Sequence, residues 1–198
     1  MKVIFAQNNL FYVENLLSPE LCKSIIAMYE HHPDKHVGYV IDDSSEEKLN
    51  IDVKFSTDLV ITLDGAWEEI FTEIDLAVNE ALGQIVAEVP ALQIWPLWLT
   101  GYKIQHYKKN EGYFKWHCDA VGPGGWERQL AMIIYLNSVQ EGGQTSFLQQ
   151  NLQLKPTEGD AVFFPPFWTH PHCGEVPKSE DKYIISTFIS FSIPESAP

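Results

Sequence analysis

Seven short segments in the second half of the chain limit the folds that are open to this sequence. They are rich in Ile, Tyr, Phe, Trp and Thr, which favour β-strands. Turn clusters such as Gly142-Gly143, Gly159-Asp160 and Pro165-Pro166 separate them. The seven segments are residues 98–107, 113–119, 128–137, 144–149, 160–164, 169–173 and 182–192. Short strands with turns between them predict an antiparallel sandwich or barrel.

The part of the chain before Pro96 has a different pattern, dominated by two helices. Ser18-Pro19 is a typical helix start, with Ser as the N-cap and Pro at the first helical position. Apolar residues then recur at helical spacing until His31-His32-Pro33. A second helix is predicted over residues 66–88, where apolar residues again line one side. Helices followed by a small β-barrel indicate an α+β fold in which the helices support one sheet.

The length of the chain, 198 residues, suits one hydrophobic core better than two. We therefore expect a single domain over residues 1–198, in which residues 1–96 are mainly helical support and residues 97–193 form the β core. The polar stretch 34–50 contains the acidic run 42–47 and is expected to be a solvated loop. Residues 34–58 are a candidate lid.

The charge of the chain limits its partners. Twenty-seven acidic against thirteen basic residues give a net charge of −14, whereas nucleic-acid binding needs a surplus of Lys and Arg. Cys22, Cys118 and Cys173 are an odd number without CxxC spacing, which argues against a disulfide framework and a thiolate zinc cluster. No apolar run is long enough to span a bilayer, and the N-terminus lacks a signal-peptide pattern. We expect a cytoplasmic protein that binds neither nucleic acid nor a membrane.

The peptide around His117-Cys118-Asp119 is a candidate metal site. Alternate side chains of a strand share a face, so His117 and Asp119 point the same way and can bind one cation. A third ligand from a distant strand would complete the facial triad of non-haem Fe(II) oxygenases. His170 and His172, two residues apart in a late segment, are both candidates. In isolation, an ordinary cross-strand hydrogen-bonded pair is the preferred interpretation of His117 and Asp119.

Lys182 points to an anionic ligand. In the last predicted strand it shares a face with Ile184, Ser186 and Phe188. A lysine directed into an apolar barrel needs a counter-charge, because an unpaired buried ammonium is very costly. A small dicarboxylate would supply one.

The second half of the chain carries six motifs in a recognisable order. They are Tyr107, ten residues before His117; His117-Cys118-Asp119; Arg128, seven residues before Tyr135-Leu136-Asn137; Gly142-Gly143-Gln144-Thr145-Ser146-Phe147; the run 156–165; and His172 with Lys182 ten residues later. In order and approximate spacing, the chain from Tyr102 to Ser192 resembles the Fe(II)/2-oxoglutarate-dependent dioxygenases, specifically their prolyl-4-hydroxylase-like branch. Those proteins are built on a double-stranded β-helix, or jelly roll, and the resemblance implies that fold for the β core.

The resemblance also implies roles for individual residues. His117, Asp119 and His172 would hold the iron, with His172 preferred to His170 because of its spacing to Lys182. Lys182 would pair with the distal carboxylate of 2-oxoglutarate. Three hydroxyl groups would also face this cosubstrate, those of Tyr107, Tyr135 and Ser186.

The reaction that the resemblance implies is hydroxylation of a substrate, with release of succinate and CO2. The implied cofactors are Fe(II) and 2-oxoglutarate, and ascorbate is a further candidate. The substrate is a prolyl or other residue in a protein, or a small molecule. Two alternatives are a non-catalytic jelly-roll binding module and a cupin-like metal enzyme that does not use 2-oxoglutarate.

Four lysines stand close together just before the HxD tripeptide: Lys103, Lys108, Lys109 and Lys115. A solvated face is the ordinary interpretation. The sharper hypothesis is a local positive lip that attracts an acidic substrate against the net charge of the chain.

Overall fold

The computed structural model describes residues 2–5, 7–41, 47–63, 65–122 and 125–192. Within them, two long helices and sixteen strands follow one another along the chain. The helices are α1 (Pro19–His31) and α2 (Glu68–Glu88). The strands are β1 (Lys2–Phe5), β2 (Phe11–Glu14), β3 (His36–Val37), β4 (Val40–Ile41), β5 (Glu47–Lys48), β6 (Lys54–Phe55), β7 (Thr57–Ile61), β8 (Leu97–Leu99), β9 (Tyr102–Tyr107), β10 (Tyr113–His117), β11 (Arg128–Tyr135), β12 (Thr145–Phe147), β13 (Leu152–Leu154), β14 (Ala161–Phe164), β15 (His172–Gly174) and β16 (Lys182–Phe191).

Both helices begin and end close to the predicted residues. The Ser18 hydroxyl accepts a hydrogen bond from the backbone N–H of Leu21 at 3.1 Å, so Ser18 is the N-cap of α1 and Pro19 is its first residue. α2 buries Ile70, Ile74 and four further apolar side chains on one face. Among the described residues, no helix has both the length and the apolar character that crossing a bilayer requires.

The strands form two main sheets whose recorded pairs are all antiparallel. The larger sheet has the order β1-β2-β14-β11-β16-β9-β7-β3, with β8 paired to β16. The smaller sheet has the order β13-β12-β15-β10-β6. Apart from the hairpins β1-β2 and β12-β13, neighbouring strands in both sheets are not consecutive in sequence, as in a jelly roll, so the predicted double-stranded β-helix is confirmed.

The larger sheet has one face against the helices and the other towards the smaller sheet. On β16, Ile185 and Ile189 belong to the core that includes Ile25 of α1 and Ile74 of α2. A second cluster joins Phe147 of the smaller sheet to Ala131, Val162 and Phe164 of the larger one. The helices therefore support the larger sheet from outside, and the space between the two sheets remains for a site.

The first half of the chain contributes more strand than the sequence predicts. β1, β2, β3 and β7 belong to the larger sheet, and β6 pairs with β10 in the smaller one. Most of these strands have only two to five residues and so show little periodicity of their own; their partners fix them. β13 was missed for the same reason. Of the predicted acidic loop, residues 42–46 lie outside the described residues.

Gly159 sits at a turn that only glycine fits well, which gives a stability prediction. Its φ is +82°, and a Cβ there would stand 2.4 Å from the carbonyl oxygen of Leu17. Gly159→Ala should therefore lower the free energy of unfolding by about 1–3 kcal/mol, measured by urea denaturation. Gly83→Ala is the control: Gly83 lies inside α2 with nothing near its added Cβ, so alanine should stabilise by up to about 1 kcal/mol. Equal stability of the two variants would contradict the prediction.

Candidate metal and cosubstrate site

A cavity of about 930 Å³ opens between the two sheets. Its walls include residues of β9, β11 and β16 from the larger sheet and of β10 and β15 from the smaller one. The size suits a small molecule together with part of a second one. The sequence-predicted residues His117, Asp119, His172, Lys182 and Tyr107 all line it.

Three metal-ligating side chains converge in this cavity. β10 and β15 pair in antiparallel fashion, with His117 opposite His172. Asp119 follows β10 by two residues, and its backbone N–H donates to the Pro166 carbonyl at 2.9 Å. The nitrogen and oxygen ligand atoms of the three residues all lie within 4.8 Å of one another. His117 Nε2 is 3.5 Å from Asp119 Oδ1, and His172 Nε2 is 3.4 Å from Asp119 Oδ2.

The hydrogen bonds of the two imidazoles leave their Nε2 atoms available. His117 Nδ1 lies 2.7 Å from the Lys115 carbonyl oxygen, and His172 Nδ1 lies 3.1 Å from that of His170. A carbonyl oxygen can only accept, so Nδ1 carries the proton and Nε2 keeps its lone pair. The Phe114 ring stacks on His117 with ring centroids 3.5 Å apart, which fixes the ring plane. A hydrogen bond from the other ring nitrogen to a backbone carbonyl is typical of metal-binding histidines.

The charges of the three residues also suit a divalent cation. Burial alone would raise the pKa of Asp119, but His172, His117 and Arg128 outweigh it and hold the pKa at about 2. Burial lowers the pKa of His172 to about 4. At neutral pH the cluster therefore offers one carboxylate and an uncharged His172 imidazole. The residues fit Fe(II), whose facial-triad sites use two histidines and one carboxylate.

The ring of His170, the other candidate, is hydrogen-bonded outside the cluster of metal-ligating side chains. Its Nε2 is 2.7 Å from the carbonyl oxygen of Asn8, and its Nδ1 is 2.9 Å from the Thr169 hydroxyl. Both ring nitrogens are thus occupied by structural partners. The structure brings His172, and not His170, together with His117 and Asp119.

Lys182 is buried in the same cavity, with 2% of its surface exposed. Its ammonium donates to the Gly143 carbonyl at 2.7 Å and lies 5.7 Å from the ring centroids of both Tyr107 and Tyr135. Among the described residues, no carboxylate forms an ion pair with it. Burial lowers its pKa to about 8. A buried ammonium that forms no ion pair with a carboxylate of the described residues fits the carboxylate of a small acid such as 2-oxoglutarate.

The hydroxyl groups predicted to face the cosubstrate have protein partners. The Tyr135 hydroxyl donates to Thr145 Oγ1 at 2.8 Å, and the Tyr107 hydroxyl donates to Gln105 Oε1. Gln105 Nε2 in turn donates to Ser186 Oγ at 2.9 Å. Burial raises the pKa of both tyrosines, so they stay protonated at neutral pH. Tyr107 is the register partner of Lys182 on the neighbouring strand, which explains their proximity.

Sequence reasoning missed a polar group in the cavity wall, formed by Lys54, Ser56 and Asp58. Lys54 Nζ donates to Asp58 Oδ2 at 2.6 Å, and the Ser56 hydroxyl donates to Asp58 Oδ1 at 2.7 Å. The available signal was Asp58 within the otherwise apolar strand 57–61. Lys54 offered none, because a single lysine between Val53 and Phe55 is ordinarily a solvated residue.

Arg128 and the four lysines before the HxD tripeptide also have definite places. Arg128 Nη1 donates to the Asp119 carbonyl at 2.7 Å, and its guanidinium lies 3.7 Å from the centroid of the Phe188 ring. Lys103 lines the cavity. Lys108, by contrast, forms an exposed pair with Glu111, Lys109 is exposed, and the Lys115 ammonium is 5.8 Å from the centroid of the Tyr113 ring. Of the four lysines in the hypothetical positive lip, Lys103 alone therefore lines the cavity.

The chain resembles known proteins over the same region. Residues 102–190 match the family model of the 2OG-Fe(II) oxygenase superfamily. The chain is 25% identical over 178 residues to prolyl 4-hydroxylase 1 of Arabidopsis thaliana, a match that covers 82% of this chain and 59% of that protein. It therefore spans about three fifths of the length of that relative.

Solved structures share the fold. The 2OG complex of the viral collagen prolyl hydroxylase from Paramecium Bursaria Chlorella virus-1 superposes with a TM-score of 0.69 at 18% identity, covering 96% of this chain and 99% of that one. A prolyl hydroxylase from Trichoplax adhaerens, in complex with a hypoxia inducible factor peptide fragment, gives a TM-score of 0.76 at 15% identity, covering 93% and 84%.

Fold, cavity and family match agree over the same region: residues 102–190 match the 2OG-Fe(II) oxygenase family model and contain the cluster of His117, Asp119 and His172. The cofactors of that family are Fe(II) and 2-oxoglutarate. The similar proteins are prolyl hydroxylases, so the resemblance to the prolyl-4-hydroxylase-like branch that the sequence shows is confirmed.

Proposed function

We propose that this protein is a dioxygenase that hydroxylates an aliphatic carbon of its substrate and converts 2-oxoglutarate to succinate and CO2. The observation that carries the proposal is the pairing, in one cavity, of the cluster His117, Asp119 and His172 with the buried Lys182. A metal cluster alone would suit many metalloproteins. A metal cluster with a buried lysine that forms no ion pair with a carboxylate of the described residues suits a metal-binding acid.

In this proposal the iron ligands are His117 Nε2, His172 Nε2 and a carboxylate oxygen of Asp119. When bound, Fe(II) and 2-oxoglutarate supply the activation of dioxygen and the oxidative decarboxylation. The chain supplies the arrangement: the Lys115 and His170 carbonyls fix the imidazole rings, and Arg128 holds the backbone of Asp119. A set of three protein ligands would hold Fe(II) while leaving it accessible to the cosubstrate, as in facial-triad sites.

Lys182 would bind the distal carboxylate of 2-oxoglutarate in a charge-assisted hydrogen bond. Tyr107, Tyr135 and Thr145 form the wall around it, and the Gly143 carbonyl already holds the ammonium in place. Ser186 is further along the same strand and would face the substrate end of the cosubstrate. Burial of this region excludes water, which strengthens the ion pair.

The names of the similar proteins make a prolyl residue of a peptide the first substrate class to test. The Arabidopsis relative is a prolyl 4-hydroxylase, and both solved structures are prolyl hydroxylases. Other protein residues and small molecules are the remaining classes. Neither a binding module nor a cupin-like enzyme has a comparable use for Lys182.

Anaerobic visible absorption tests the proposal. Addition of Fe(II) and then 2-oxoglutarate should produce a metal-to-ligand charge-transfer band, because the keto acid chelates the iron. His117→Ala should give no band, since one ligand is missing. A folded wild-type protein that binds Fe(II) but shows no band with 2-oxoglutarate would contradict the proposal and favour the binding module.

A further inference from the structure

A second buried lysine, Lys54, lies in the wall of the same cavity. It is 1% exposed, and its ammonium is bound to Asp58, which is also buried. Asp58 Oδ2 is at the same time 3.5 Å from Nζ of Lys103, whose side chain is 36% exposed. The carboxylate of Asp58 thus faces two ammonium groups, and its other oxygen accepts a hydrogen bond from the Ser56 hydroxyl.

This group carries one positive charge more than the protein neutralises. The desolvation of Lys54 outweighs its attraction to Asp58, and its pKa is lowered to about 8. In the proposed complex, Asp119 and one carboxylate of 2-oxoglutarate balance the two charges of the iron, and the other carboxylate balances Lys182. Neither cofactor therefore supplies a counter-charge to Lys54 and Lys103. A cationic wall inside a cavity is costly unless an anion enters it.

The position of the group separates it from Lys182. On β9, Lys103, Gln105 and Tyr107 share the face towards the cavity. Tyr107 is opposite Lys182 and Lys103 is opposite Ser186, so Lys103 is about 13 Å along the strand from the cosubstrate lysine. Lys54 Nζ lies 5.5 Å from the centroid of the Phe114 ring, which stacks on His117. The group therefore lies beside the metal ligands at the Ser186 end of the strand pair, away from Lys182.

We propose that Lys103, supported by Lys54 and Asp58, binds a carboxylate of the substrate, so that the substrate is an acid. This inference rests on the proposed function, because it assigns the substrate class of that site. Lys103 makes the contact, since its side chain is partly exposed, it lines the cavity, and its ammonium has three donors. Lys54 is a positioning residue: with Ser56 it holds Asp58 in place and adds the second positive charge.

Lysine-resolved NMR tests the inference. The protein is labelled with 13C and 15N in lysine, loaded with 2-oxoglutarate and with Zn(II) as a diamagnetic metal, and titrated with acetate or with its neutral analogue acetamide. Acetate should shift the Nζ and Cε signals of Lys103 in a saturable way, and acetamide should not. In Lys103→Met, the Lys54 signals should need at least about tenfold more acetate.

Lys23, on the exposed face of α1, is the internal control, and Lys23→Met is the matched variant. Lys103 signals that move no more than those of Lys23, or that respond equally to acetate and acetamide, would overturn the inference. The titration can be repeated without metal and 2-oxoglutarate. The acetate titration therefore gives an answer even if the charge-transfer test fails, and the failure of one proposal can be told from the failure of the other.

The carboxylate has two possible sources, a protein side chain or a small acid. The peptides acetyl-Ala-Ala-Glu-Ala-Ala-amide and its Gln counterpart distinguish them in the same titration. A Glu peptide that binds at least about tenfold more tightly than acetate indicates a protein substrate. Acetate binding with exclusion of the peptide indicates a small acid. Equal binding of the Glu and Gln peptides would overturn the inference.

Discussion

Replacing His172 with alanine should abolish Fe(II) binding. His172 Nε2 faces Asp119 at 3.4 Å in the cluster with His117, and no other described residue completes that group. Loss of a group that only hydrogen-bonds to a metal ligand typically lowers metal affinity by about 10- to 100-fold. Loss of the ligand itself should lower it by more than about 100-fold. Isothermal titration of the anaerobic protein with Fe(II) measures the effect.

His170→Ala is the matched control, because it removes a buried histidine two residues away. It should reduce stability by about 1–3 kcal/mol, since the Asn8 carbonyl loses its hydrogen-bond donor. The backbone carbonyl of residue 170, which orients His172, remains. Fe(II) affinity should therefore stay within a few-fold of the wild type. Loss of iron in His170→Ala, with retention in His172→Ala, would move the ligand to His170.

Lys182→Ala should weaken 2-oxoglutarate binding by about 10- to 100-fold while Fe(II) affinity is unchanged. The expected loss is that of one charge-assisted hydrogen bond, worth about 1.5–3 kcal/mol. Among the described residues, the ammonium of Lys182 is the only one that lies over the rings of both Tyr107 and Tyr135. Titration of the charge-transfer band with 2-oxoglutarate, at fixed Fe(II), gives both affinities. The exposed Lys178→Ala is the control.

The pH dependence gives the same prediction a second readout. Burial lowers the pKa of Lys182 to about 8, and a bound carboxylate would raise it again because it favours the ammonium. Affinity for 2-oxoglutarate should therefore be full below pH 8 and fall above it, by up to about tenfold per pH unit. This component should disappear in Lys182→Ala. Equal affinity and an equal pH profile in the two proteins would refute the role of Lys182.

Much of the fold could be predicted because its signals are local. Turn residues and β-branched or aromatic segments placed strands at or near β8 and β9, β10, β11, β12, β14, β15 and β16. Ser18 and the apolar spacing placed α1. Segments of two or three residues, such as Lys54–Phe55 and Leu152–Leu154, are too short to show a period. They are strands because a neighbouring strand supplies their hydrogen bonds.

The candidate site divides in the same way. The alternation of a strand was enough to put His117 and Asp119 on one face and to put Lys182 on a face with Ser186. It could not separate His170 from His172, because residues two apart share a face in any strand. The structure separates them. β15 begins only at His172, so His170 lies outside the strand, and its ring is hydrogen-bonded to Asn8, 162 residues away in sequence.

By itself, the sequence determined the strand-rich second half, the two supporting helices and the residue types that can hold a metal and an acid. Only the tertiary structure decided which histidine faces Asp119, that Lys182 has no carboxylate partner among the described residues, and that Lys54 and Lys103 share Asp58. The physical reason is range. Propensity and periodicity act between residues a few positions apart, whereas burial, counter-charge and ligand geometry depend on strands that meet across the cavity from distant parts of the chain.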